Sequence, residues 1–151
     1  MSGSPPPFLR FDPAAQSVLA IAQRTADERG VPAIDSIALL LALLDASEGA
    51  SPGVFAVAGV GRDRLVAAAE RCRGERPLIL ADQPVTTVRD VVRSAMEAAE
   101  SRSAKGATID DIAVALLAHG SGLANEALRD LGLDPVQLAQ DIQNAPPRAQ
   151  G

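Results

Sequence analysis

Apolar positions recur along the chain with a helical period, broken at intervals by glycine and proline. In the stretch from Asp12 to Gly30, Val18, Leu19, Ala22 and Ala26 fall on one face at 3.6-residue spacing. Asp12 is a good N-cap, Pro13 suits the first helical position and Gly30 suits the end. The next segment, from about Ser36 to Ala46 after the cap Asp35, is apolar almost all round, which predicts a helix buried at the centre. Ser51 before Pro52, with Gly59 as the stop, predicts a short third helix. "GRDRLVAAAERCRG" predicts a fourth, with Leu65, Val66 and Ala69 inward. The same order then returns. A capping-box pattern from Thr87 to Asp90 opens a helix whose apolar face is Val88, Val91, Val92, Ala95 and Ala99. A helix after Thr108 follows, then a short one around "LANEALRDLG", then one opened by Asp134 and Pro135.

The two halves can be laid together in two ways. Matching Ile34–Ala38 to Ile109–Ala113 needs a shift of 75, whereas matching Ala42–Leu44 to Ala115–Leu117 needs 73. At 73, ten positions between Phe8 and Leu65 have an identical partner without a gap, among them Val18/Val91, Ala22/Ala95, Gly49/Gly122 and Gly59/Gly132. This shift pairs the caps Asp35 and Thr108, and Thr108 followed by Asp111 forms a capping-box pattern. It also sets Gly59 and Gly132 at helix ends, where a positive φ is often needed. A shift of 75 keeps the eye-catching I-D-x-I-A echo but loses the caps, the A-L-L match and the glycines. The expected fold is all-α, two tandem four-helix repeats. The expected divisions are a flexible segment 1–7, repeats at 8–72 and 84–145, a linker at 73–83 and a tail at 146–151.

Composition supports this class. Hydrophobic residues make up 47% of 151, aromatics only 2%, and Trp and Tyr are absent. Alanine and leucine favour helices, whereas strands favour aromatic and β-branched residues. A formal net charge of −5 with three Phe as the only aromatics provides neither a phosphate-neutralising surface nor stacking platforms, so nucleic-acid binding is not expected. The one cysteine, Cys72, fits a reducing compartment. The start "MSGSPPPFLRF" lacks an apolar signal core, and no apolar run approaches the roughly 20 residues that span a bilayer. A soluble, cytoplasmic protein without membrane contact is expected.

Candidate chemistry is sparse. His119, the only histidine, has no metal-ligating companion and suits the C-terminal end of its helix as an imidazolium. Cys72 has two readings: a thiol activated by Arg71 and Arg73, or a packing or surface residue, which the sequence favours. Asp110 and Asp111 face a ligand or simply stabilise the first turn of a helix, and the second reading is the simpler. No catalytic constellation, metal cluster or cofactor motif is found, so no enzyme activity is expected.

Several stretches together resemble the Clp N-terminal domain, the helical module at the front of ClpA, ClpB and ClpC unfoldases. The family opening F-x-R-F-S/T appears as Phe8-Leu9-Arg10-Phe11-Asp12. The A-Q-x-V-L-x-x-A-Q of ClpC-type first helices appears as Ala15 to Gln23. I-G-T-E-H-I-L-L-G-L is similar to Ile34–Leu43, and x-L-G-V/I to Leu131-Gly132-Leu133. The resemblance covers about residues 8 to 145. It implies a pseudo-twofold bundle of eight helices that docks substrates or adaptors for a Clp ATPase. With no phosphate-loop motif in the chain, it implies a stand-alone domain acting as adaptor, docking module or decoy.

In ClpC-like members the Glu of each T-E-H motif helps bind phosphoarginine. That position falls on Ile37 in the first repeat, which cannot pair with a guanidinium, and on Asp110, one methylene shorter, in the second. The His falls on Ala38 and Asp111. Weak or absent phosphoarginine binding is the expectation. ClpC N-domains also bind cyclic peptide antibiotics at exposed phenylalanines. Phe8 matches one such position, while Pro84 and Val85 stand where the second repeat often has Phe-Thr. The alternative function is therefore sequestering such a peptide to shield a Clp ATPase. The positions nominated for ligand or peptide binding are Phe8, Arg10, Phe11, Asp110 and Asp111. For Phe8 and Phe11 a second reading stays open, a hydrophobic staple just before the N-cap Asp12.

Overall fold

The computed structural model describes residues 11–30, 34–46, 49–74, 88–101, 106–119 and 122–144, with the side chains of residues 88, 89 and 119 excepted. Among the described residues the chain forms eight α-helices and no strand. They are α1 (Pro13–Arg29), α2 (Ser36–Leu44), α3 (Ser51–Ala58), α4 (Arg62–Arg73), α5 (Val88–Ser101), α6 (Ile109–His119), α7 (Leu123–Asp130) and α8 (Pro135–Asn144).

Local capping chemistry sets most of these boundaries. Asp12 accepts the N–H of Ala15 at 2.8 Å, and Pro13 follows at the first helical position. Asp35 accepts the N–H of Ala38 at 2.9 Å. Thr108 and Asp111 form a reciprocal box: Asp111 N–H donates to Thr108 Oγ1 at 3.2 Å, and Thr108 N–H donates to Asp111 Oδ2 at 2.9 Å. An Asp thus fills the place usually held by Glu or Gln. The expected box from Thr87 to Asp90 lies outside the described residues on its Thr87 side. So do the terminal segments and residues 75–87, which include most of the expected linker; Arg73, the linker's first residue, ends α4 instead.

Helix ends settle the register. Val60 N–H donates to Phe55 O at 2.9 Å, and 73 residues later Leu133 N–H donates to Leu128 O at 3.0 Å. Gly59 N–H donates to Ala56 O and Gly132 N–H to Arg129 O, again 73 apart. Gly59 and Gly132 have φ of 80° and 85°, the left-handed conformation that closes a helix with little strain only at glycine. The same hydrogen bond at i and i + 73 excludes a shift of 75 through these turns. The I-D-x-I-A echo is a coincidence of sequence.

One core holds the helices together. Every residue of α2 from Ser36 to Leu43 is buried, as its all-round apolar pattern predicts. α1 lies along α2 and α5 along α6, each through small side chains such as Ala15, Ala22, Ala95 and Ala99 that let backbones approach closely. α4 packs on α7, and α8 on α6 and α3, so the last helix of each half reaches the other half. Each fully buried Leu or Ile contributes about 1.5–3 kcal/mol relative to exposure. Ile37, Leu39, Leu40, Leu43, Ile112, Leu116 and Leu117 supply most of this at the centre.

One sequence expectation about packing needs correction. Val66 on α4 points outward at 41% exposure, while Ala68 is buried with Leu65 and Ala69. On a helix reading Leu-Val-Ala-Ala-Ala, several faces look equally apolar, and the packing of α7 against α4 chooses among them. The short third helix stands where Ser51, Pro52 and Gly59 predict it, with Ser51 as its first residue and Ala50 at the N-cap position, in helical conformation and without a side-chain acceptor.

Candidate functional site

The nominated residues divide between two places. Phe8 and Arg10 lie outside the described residues, as do Pro84 and Val85. Phe11 is buried in the core at 3% exposure, so its ring is not offered at the surface. Its backbone forms an isolated parallel bridge with Ala107, and the next residue, Asp12, donates its N–H to Ala107 O at 2.9 Å. Gln16 Nε2 donates to Phe11 O at 2.8 Å. Phe11 therefore fastens the start of α1 to the entry of α6, across the two halves.

Asp110 and Asp111 stand on the first turn of α6, and their side chains do different things. Asp111 turns back into the box with Thr108 and is buried at 9% exposure. Asp110 reaches away from its own helix to α3. Its Oδ1 and Oδ2 accept the N–H of Ala50 at 3.0 and 2.9 Å, and Oδ1 accepts the N–H of Ser51 at 2.9 Å. A carboxylate at a helix N-terminus satisfies donors that have no intrahelical partner and faces the positive end of the helix dipole. The loop that brings these donors forward turns at Gly49, whose φ is 83°. A Cβ there would lie 2.8 Å from Asp110 Oδ1, so the close approach also requires glycine.

The corresponding position in the first half, Ile37, is apolar and 1% exposed, so the two halves differ chemically here. Its neighbour Ser36 carries the comparable contact. The N–H of Ala124, at the start of α7, donates to Ser36 Oγ at 3.0 Å, with both residues buried. Neither of these two contacts is legible in the sequence pattern. The one signal of them is the identity of Gly49 and Gly122, both at positive φ just before the short helices.

Elsewhere the ion pairs range from half-buried to exposed. Arg29 Nη1 binds both oxygens of Asp35 at 2.7 and 2.8 Å, joining the end of α1 to the start of α2. Arg71 Nε donates to Asp130 Oδ2 at 3.0 Å, joining α4 to α7. Glu70 is held below the usual carboxylate range, chiefly by the hydrogen bond from Arg73; burial opposes this, and the charges of Arg73 and Arg29 add to it. Cys72, the one cysteine, is half-buried and packs against the core. Among the described residues no three His, Cys, Asp or Glu side chains group as a metal site, and no helix is long and apolar enough to cross a membrane.

No protein-family model matches the sequence, and no curated protein matches it. Solved structures do match in three dimensions. The N-terminal domain of the caseinolytic protease associated chaperone ClpD from Arabidopsis thaliana superposes with a TM-score of 0.71 at 20% identity, covering 90% of this chain and 94% of that chain. The chain has the all-α fold of a Clp N-terminal domain.

Proposed function

We propose that this protein is a non-catalytic docking module that binds proteins or peptides in Clp-dependent proteolysis, as an adaptor, a substrate-docking domain or a decoy. The observation that carries the reading is the likeness over 90% of the chain to the N-terminal domain of a caseinolytic protease associated chaperone. The chemistry is in keeping with it: the side chains of Asp110 and Asp111 serve as caps for backbone N–H groups. The proposed location is the cytoplasm, with a Clp ATPase or its substrates and adaptors as partners. Affinity purification of the tagged chain followed by mass spectrometry tests this. A Clp ATPase or its clients should copurify, and the purified chain should raise or lower the rate at which that ATPase degrades a fluorescent substrate. A clean purification, with no effect on that rate, argues against every form of the proposal.

Phosphoarginine is not expected to bind. Ile37 is buried and apolar, and the Asp110 oxygens are already engaged by the α3 backbone. Titration calorimetry with free phosphoarginine should give little or no heat, and two tight sites would overturn this. The alternative of sequestering cyclic peptide antibiotics rests on Phe8, which lies outside the described residues, so no observation in the fold favours it.

A further inference from the structure

The two short helices, α3 and α7, are each eight residues long, well below the length at which an isolated helix holds together in water. Their N-termini therefore depend on outside partners. The local cap positions supply none from side chains: Ala50 precedes α3 and Gly122 precedes α7, and neither carries an acceptor. In each case an acceptor comes from the first turn of the central helix of the opposite half. Asp110 on α6 serves Ala50 and Ser51, and Ser36 on α2 serves Ala124. These two contacts span 60 and 88 residues of sequence.

We infer that these crossed caps are reciprocal latches, through which the opening of each short helix is controlled from the other half of the molecule. The latches are unequal. Asp110 is a carboxylate that accepts from the N–H groups of Ala50 and Ser51, whereas Ser36 offers a neutral hydroxyl, and hydrogen bonds to charged acceptors are the stronger kind. The stronger latch holds the more exposed helix. α3 buries only Ser51 and Phe55 and leaves Val57 at 92% exposure, whereas α7 buries Leu123, Ala124, Asn125, Ala127 and Leu128. α3 thus has little packing of its own, and the carboxylate from the second half compensates. A change at the first turn of α6 is felt as an opening of α3, without passing through the core.

Amide hydrogen exchange on the full chain tests the latch helix by helix. Asp110→Ala should speed exchange of the α3 amides from Val54 to Ala58 by roughly tenfold or more, the scale set by losing charge-assisted bonds. The amides of α7, whose local opening leaves the Asp110 contact intact, should keep their native rate. Asp110→Asn retains one acceptor oxygen and should fall between, and it carries the test if the alanine variant fails to fold. Ser36→Ala should speed α7 and leave α3 as it was. Unchanged α3 exchange in both Asp110 variants would overturn the inference. So would an equal rise across all eight helices, since that reports a loss of overall stability and not a local latch.

Discussion

Asp110 Oδ1 lies 2.9 Å from the backbone nitrogen of Ser51, fifty-nine residues earlier in the chain. That bond depends on the loop before it, where Gly49 turns at φ 83° directly under the carboxylate.

Two glycines separate the backbone cost from the steric one. Gly30 has φ 78° and open space within 4 Å of where an added Cβ would stand, so Gly30→Ala should cost only the left-handed strain, about 1–2 kcal/mol. Gly49→Ala adds a contact at 2.8 Å with Asp110 and should cost clearly more. Urea denaturation of both variants measures the difference, and equal losses would mean that the Asp110 contact is unimportant.

The box at the start of α6 should be worth about 1 kcal/mol from each side. Thr108→Ala removes the acceptor for the Asp111 N–H, and Asp111→Ala removes the acceptor for the Thr108 N–H. A double-mutant cycle should show coupling between them, because each bond orders the residue that makes the other. Strict additivity in thermal denaturation would show the two bonds to be independent.

Equivalent positions in the two central helices should respond alike. Leu43 and Leu116 are 73 apart and both fully buried, so truncating either to Ala should destabilise by about 2–5 kcal/mol. Val57→Ser should fall within about 0.5 kcal/mol of the native chain, since the side chain is 92% exposed. A large loss at Val57 would mean that α3 packs on something in solution.

Glu70 gives a small pH dependence with a defined sign. Its folded carboxyl titrates below its ordinary value because Arg73 hydrogen-bonds the charged form. The stabilisation is therefore full above the unfolded value, near 4.3, and fades as pH falls through the lower folded value. Half of the Glu70 side chain is exposed, so solvent screening keeps the effect under about 0.5 kcal/mol. Glu70→Gln should lose that much at pH 7, and the difference from the native chain should shrink as pH falls through the folded value in denaturant titrations. A difference that grows towards acid would reverse the assignment.

Most of the helices are legible because their signals are local. Asp12, Asp35, Thr108 and Asp134 each act within three residues of themselves, so their side chains announce a helix start wherever the fold places it. The all-round apolar α2 and the glycine stops are legible for the same reason. Val66 misleads because an Ala-rich helix offers several equivalent faces, and only its neighbour α7 selects one. The acceptor that serves the start of α3 comes from Asp110, on a helix that sequence spacing cannot place.

The sequence by itself determined the helical class, the order of the elements and the 73-residue register, because caps, glycine stops and a 3.6-residue period operate over a few neighbouring residues. Only the tertiary structure decided what Asp110 and Phe11 do. Their partners lie 60 and 96 residues away, at Ala50 and Ala107, and no local rule fixes which distant backbone a carboxylate or a buried ring will meet.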